Sequence, residues 1–76
     1  MPITVTQEHI KIGVPYSKWE CPVALAVSQA LGPCWVGVDR IGLLKQDRCY
    51  PLPTLARDWI HAFDHGRPVE PFSFDV

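Results

Sequence analysis

The chain has no surplus of positive charge, no paired cysteines and no long apolar run, and each lack removes a class of function. Seven Lys and Arg against eight Asp and Glu leave a net charge of −1. A protein dedicated to nucleic acid draws much of its affinity from neutralising phosphates and releasing their counterions, and therefore carries a basic excess. Here Lys11, Lys18, Arg40, Lys45, Arg48, Arg57 and Arg67 are scattered, most with an acid nearby. That balance argues against direct nucleic-acid binding. Three cysteines separated by twelve and fourteen residues form neither an even disulfide set nor the close pairs of a zinc knuckle, and they suit a reducing compartment. The longest apolar stretch, Pro22–Val27, is far below the roughly 20 residues that span a bilayer. The first six residues lack the basic start and apolar centre of a secretory leader. No membrane association and a cytoplasmic location are the expectation.

Catalytic signatures are also missing. Gly37 and Gly42 fall in strand-like segments and the other glycines end helical ones, so no glycine-rich phosphate loop exists. Asp58 and Asp64 are six apart and fall on different helix faces, while Asp39, Asp47 and Asp75 read as turn or terminal residues. The chain therefore reads as non-catalytic, with no cofactor and no dedicated metal set.

What is present is a core. With 47% hydrophobic residues, three Trp, three Phe and two Tyr in 76 residues, the chain is rich enough to fold as one domain over 1–76. Ile3-Thr4-Val5 alternates and is β-branched, a short strand. Thr6 is an N-cap for a short helix that Gly13 ends, with Ile10 and Ile12 expected to turn inward. Pro22 suits the first position of a second helix, whose apolar positions Val23, Ala26, Val27, Ala30 and Leu31 keep a 3.6-residue period before Gly32-Pro33 stops it. Ser28 and Gln29 mark its outward side.

Cys34–Val38, Ile41–Lys45 and Arg48–Tyr50 read as an antiparallel meander, with turns at Asp39-Arg40 and Gln46-Asp47. Thr54 is the expected cap of a third helical segment, Leu55 to about His65, with Leu55, Trp59, Ile60 and Phe63 as its apolar stripe and Gly66 past its end. In the tail Phe72, Phe74 and Val76 share one face of a last strand. The predicted fold class is α+β: a small, mostly antiparallel sheet of three to five strands with two helices packed on one face.

Four phrases carry a family resemblance: Thr6-Gln7-Glu8-His9-Ile10 with Gly13; Cys21-Pro22-Val23-Ala24-Leu25-Ala26; Tyr50-Pro51-Leu52-Pro53; and Phe63-Asp64-His65-Gly66-Arg67-Pro68-Val69-Glu70-Pro71-Phe72-Ser73-Phe74. Together they resemble a group of small, mostly uncharacterised proteins encoded by bacteriophages and prophages, over nearly the whole chain. In that group the segment ahead of the Cys-Pro is often richer in glycine and polar residues, so Trp19 in Tyr16-Ser17-Lys18-Trp19-Glu20 is a bulky departure. The resemblance implies a setting: an accessory protein inside a bacterial host, of a kind that binds and redirects a host machine. Inhibitors of CRISPR effectors and other defences are one such class.

Three sets of residues are candidates for function. Tyr16, Lys18, Trp19 and Glu20 put two aromatics among charges on an irregular segment, which suits an interface anchor, although the plainer reading of Trp19 is a fold-back over the first turn of the second helix. Arg57, Asp58 and His61, with Asp64, form the exposed side of the third helix and extend the same candidate surface to a host protein or complex. The second set is Cys21 with His9, His61 and His65. A thiol at a helix start is favoured as thiolate by the helix dipole, and His61 and His65, four apart, project together as a zinc site would need. The plainer reading is a small buried Cys and solvated helix-end histidines. The third set, Lys11, Lys18, Arg40, Lys45 and Arg48, would serve a nucleic-acid-binding regulator. Phe72 and Phe74 on an edge strand leave a homodimer as a further alternative to core closure.

Overall fold

Residues Met1 to Val76 are all described by a computed structural model of the chain. The first strand, β1 (Pro2–Val5), buries Ile3 and Val5 and exposes Pro2 and Thr4, the alternation a half-buried strand requires. It leads directly into α1 (Gln7–Ile12), capped by Thr6. The hydroxyl of Thr6 accepts the His9 N–H at 3.3 Å, and His9 Nδ1 accepts the Thr6 N–H at 3.0 Å, a reciprocal capping box with His in the place usually held by Glu or Gln. Because Nδ1 is an acceptor there, Nε2 carries the proton and donates to Gln29 Oε1 at 2.7 Å. His9 is buried with both nitrogens used, which ties the first helix to the second and leaves it no part as a base for Cys21. Ile10 packs on the core, but Ile12 is 56% exposed, against expectation. Positions two apart on a helix lie about 200° apart around its axis, so the two isoleucines cannot share a face.

Helix α2 (Pro22–Leu31) is the buried one, as its period predicts. Pro22, Val23, Ala24, Ala26 and Val27 are enclosed, and Ser28, Gln29 and also Ala30 face out. Cys21 is its N-cap, with Sγ accepting the Ala24 N–H at 3.4 Å. Gly13 lets α1 approach: a Cβ there would lie 2.6 Å from the Pro22 ring and 2.8 Å from the His9 carbonyl oxygen.

The meander follows as β2 (Cys34–Val36), β3 (Arg40–Leu43) and β4 (Arg48–Pro51), antiparallel in that order. The first turn is Val38-Asp39, not Asp39-Arg40, since Val36 pairs with Ile41 and the Gly37 N–H reaches the Arg40 carbonyl at 2.8 Å. The second is the four-residue Leu44–Asp47, with Asp47 left-handed at φ 50°. Trp35 lies opposite Gly42 and its indole covers that glycine so closely that a Cβ would sit 2.1 Å from the ring. The glycine is the seat that lets an indole lie flat across the strands.

Helix α3 (Thr54–Asp64) starts one residue earlier than expected. Pro53 takes the N-cap position and Thr54, the expected cap, makes no side-chain capping bond. The helix ends in a Schellman motif, with Gly66 at φ 72° and bonds from the Gly66 and Arg67 amides to the carbonyls of Phe63 and Ala62. Its inward face centres on Ala56 and Ile60, and Leu55, expected on the apolar stripe, is 61% exposed. Residue 55 is about 100° around the axis from Ala56 and 140° from Ile60, so a face set by those two turns Leu55 to solvent.

Strand β5 (Phe72–Asp75) pairs antiparallel with β1, Ile3 opposite Phe74 and Val5 opposite Phe72. Phe63, Trp59, Phe72 and Phe74 form one aromatic stack with centroids 4.8 to 5.8 Å apart, and the Trp59 N–H donates to the Glu70 carbonyl at 2.8 Å. Each such pair adds about 0.5–1.5 kcal/mol beyond area burial, so this stack fastens α3 to the last strand. The fold is α+β and antiparallel throughout, as expected, with five strands split into sheets of two and three and with the short α1 beside the two longer helices. No helix is long and apolar enough to cross a membrane.

Gly13→Ala is expected to lower the unfolding free energy by about 2–3 kcal/mol, because neither the Pro22 ring nor the His9 carbonyl can yield cheaply. Gly42→Ala, where the indole can swing away, is expected to lose about 1–3 kcal/mol together with a change in tryptophan emission. Urea denaturation followed by fluorescence measures both, and unchanged emission in Gly42→Ala would refute the seating of Trp35.

Candidate apolar groove

The segment between α1 and α2 is irregular yet tightly held. Ser17 Oγ accepts the Trp19 and Glu20 amides at 3.3 and 3.0 Å, a local turn of the kind serine offers the backbone. The Val14 N–H reaches the Glu20 carbonyl at 2.9 Å, and the Cys21 N–H reaches the Ser17 carbonyl at 3.1 Å. Two further bonds pin this knuckle to the rest of the fold. The Lys18 carbonyl accepts the Val36 N–H at 2.8 Å from the end of β2, and the Asp64 carboxylate accepts the Tyr16 N–H at 2.9 Å from the end of α3. Tyr16 sits in the left-handed region at φ 61°, a conformation that costs a non-glycine residue about 1–3 kcal/mol and persists only when neighbours enforce it. Its ring meets His65 edge-to-face at 5.9 Å, with the hydroxyl 3.5 Å from Nδ1.

Pinning the knuckle against α3 leaves a groove of about 540 Å³ between them. Cys21, Val36, Leu52 and Ile60 form its floor, Tyr16 and Lys18 one wall, and Arg57, His61 and Asp64 the other, with Val38 from the β2–β3 turn at one end. Tyr16 is 70% and Val38 83% exposed. Of the residues nominated from sequence, Tyr16, Lys18, Arg57 and His61 are thus brought together although some forty positions separate the two segments. Trp19 stays 53% exposed on the knuckle and does not line the groove. Glu20 and Asp58 are exposed and likewise do not line it. Sequence reasoning missed Val38, read as strand, and the floor residues Leu52 and Ile60, which carry no signal beyond hydrophobicity. A smaller depression of about 300 Å³ lies over β4, where Asp39 and Arg40 satisfy each other at 3.2 Å and leave little to attract a ligand.

Burial favours the plainer reading of Cys21 over the reactive-thiol alternative. Cys21 is only 3% exposed, and its thiol is raised above the ordinary value chiefly by burial, which outweighs the lowering by the Ala24 and Val23 amides; the Asp64 carboxylate adds to the rise. The helix dipole does not win here because the thiolate would lose more hydration than the two amides return. Cys34 is buried too, donates to the Ala24 carbonyl at 3.4 Å and is raised by the same cause, whereas Cys49 is exposed. His61 and His65 do meet, ring centroids 4.3 Å apart, but no three His, Cys, Asp or Glu side chains gather closely enough to hold a metal ion. The basic residues Lys11, Lys18, Arg40, Lys45 and Arg48 lie on five different segments, and Arg40 is paired with Asp39. Compared with protein-family models, characterised proteins and solved structures, the chain matches none.

A thiol raised in the folded state stays protonated while its unfolded counterpart, near 9.0, ionises. The unfolded chain then binds fewer protons, so stability is fully present below about pH 9 and falls as pH climbs toward the folded-state values. Denaturation between pH 7 and 10.5 is expected to show this loss, reduced in Cys21→Ala relative to its own neutral-pH value. With a thiol reagent at neutral pH, Cys49 should react at once and the other two only on unfolding; three fast thiols would contradict the burial. Asp64→Ala should cost about 1–2 kcal/mol and accelerate amide exchange across residues 14–20 by about tenfold, since it removes the brace on Tyr16. Tyr16→Gly in that background should recover part of the loss, as glycine tolerates the same φ.

Proposed function

We propose that this protein is a non-catalytic accessory protein of phage type that binds a host protein at the groove between the 14–20 knuckle and α3, and so modulates or inhibits a host macromolecular machine inside the bacterial cell. The observation that carries the reading is the convergence of Tyr16, Lys18, Arg57 and His61 on one apolar groove with Tyr16, Trp19 and Val38 left exposed around it. Exposed aromatics held by a rigid scaffold lose little conformational freedom on binding, and Trp, Tyr and Arg are the side chains that most often dominate interface energies. Occluding or distorting a nucleic-acid-handling complex, a CRISPR effector being one candidate, is the mode of action that the resemblance to phage proteins favours. Cys21, His61 and Asp64 all line the groove, but the thiol is buried and raised, its sulfur is bonded to the Ala24 amide and the carboxylate to the Tyr16 amide, so the groove with its two unpaired cations supports binding better than chemistry.

The test is capture of a stoichiometric protein from nuclease-treated lysate of a suitable host, followed by affinity measurement with surface variants. Tyr16→Ala and Trp19→Ala are each expected to weaken binding by about tenfold or more, and Arg57→Ala/His61→Ala by a similar factor. Arg48→Ala, on β4, should leave affinity unchanged. If all three variants, two in the groove and Trp19→Ala on the adjoining knuckle, bind as the parent does, the assigned surface is wrong.

A further inference from the structure

Resting on that binding role, we infer that the occupant of the groove is an acidic segment of the partner protein, one large apolar side chain with Asp or Glu on both flanks. The floor is apolar, and each wall carries a cation with no ion-pair partner: Lys18 on the knuckle and Arg57 on α3. The only ion pairs in the molecule are the N-terminal amine with Asp75 and Arg40 with Asp39. Asp64, the one carboxylate lining the groove, is engaged by the Tyr16 amide, and Glu20 and Asp58 lie outside the lining. A ligand therefore meets a hydrophobic trough whose two cations outnumber its one carboxylate, and that carboxylate is already bonded to the Tyr16 amide. Carboxylates on either side of an apolar anchor satisfy both, Arg57 through a forked guanidinium contact.

The groove volume of about 540 Å³ lies within the range of roughly 300–1,000 Å³ in which pockets enclose a ligand, and suits one large side chain with its neighbours. A second copy of this chain is a poor occupant. Its own acidic and apolar stretch, Glu70–Val76, is committed to the fold: Phe74 is buried, β5 is paired with β1, and the Glu70 carbonyl is held by Trp59.

The experiment selects a displayed random-peptide library on the full chain and on two surface variants, each first checked for an unchanged thermal transition. Val38→Gln removes exposed apolar surface from the groove mouth without altering charge; Lys18→Glu/Arg57→Glu reverses both cations. Peptides enriched on the parent are expected to carry Asp or Glu on both sides of a Trp, Phe or Leu. They should bind Val38→Gln and the charge-reversed protein about tenfold more weakly, and the charge-reversed protein should enrich Lys- and Arg-flanked peptides instead. Enriched peptides without acidic flanks, or indifferent to the charge reversal, yet weakened by Val38→Gln, would overturn the acidic assignment while keeping the groove as the binding site. Enriched peptides insensitive to Val38→Gln and to charge reversal, or no enrichment at all, would overturn both. Self-association of the free chain that Lys18→Glu/Arg57→Glu abolishes would replace the partner segment with a second copy.

Discussion

The enclosure of one face and the first turns of α2 is the constraint from which the other elements take their places. Pro22, Val23, Ala24, Ala26 and Val27 are all buried, and each large one contributes on the order of 1.5–3 kcal/mol by leaving water. In a chain whose total stability is on the order of 4–11 kcal/mol, losing that enclosure would unfold the molecule. The cover is shared: β1 and β2 both pack on the helix, and α1 closes its start through Gly13 against Pro22 and ties its later turns through His9 against Gln29. One helix thus lies against strands of both sheets, the two-stranded and the three-stranded.

The same constraint builds the groove. Fixing Cys21 as the cap of α2 fixes the end of the knuckle before it, and the Lys18–Val36 and Tyr16–Asp64 bonds then hold its outer turn against β2 and α3. The knuckle cannot collapse onto the core, since its backbone polar groups are already committed to these partners and to Ser17. An apolar trough is left between two rigid walls, with the left-handed Tyr16 at its rim. Burial at the floor disfavours the Cys21 thiolate, so the one nucleophile in the groove is a packing residue.

Elements with a strong local cause were legible. The 3.6-residue period and Pro22 at its head located α2; Thr6 and Gly13 bounded α1; Gly66 marked the end of α3. Errors fell where two local choices were close in energy and a distant contact decided. The first hairpin turn moved by one residue because Val36 took Ile41 as its partner, Leu55 lost its place because Ala56 and Ile60 lie against the core, and His9 was drawn inward by Gln29, twenty positions away. Of the candidate surface, the two segments and five of the groove-lining residues, Tyr16, Lys18, Arg57, His61 and Asp64, were readable as polar-and-aromatic stretches that no core required. That they face each other was not, since it depends on a carboxylate at 64 reaching an amide at 16.

By itself the sequence determined the class of the molecule: an α+β chain with one central apolar helix, near-neutral charge, and aromatics in excess of what its helices need. Periodicity, caps and charge balance are local or summed quantities, and they survive reading in one dimension. The tertiary structure alone decided that the strands form two sheets, that Trp35 seats on Gly42, that Cys21 is too deeply buried for its helix dipole to activate it, and that Lys18 and Arg57, neither of them in an ion pair, line one trough. Each of these is set by the distance between residues far apart in the chain, and burial and charge pairing have no meaning until that distance is fixed.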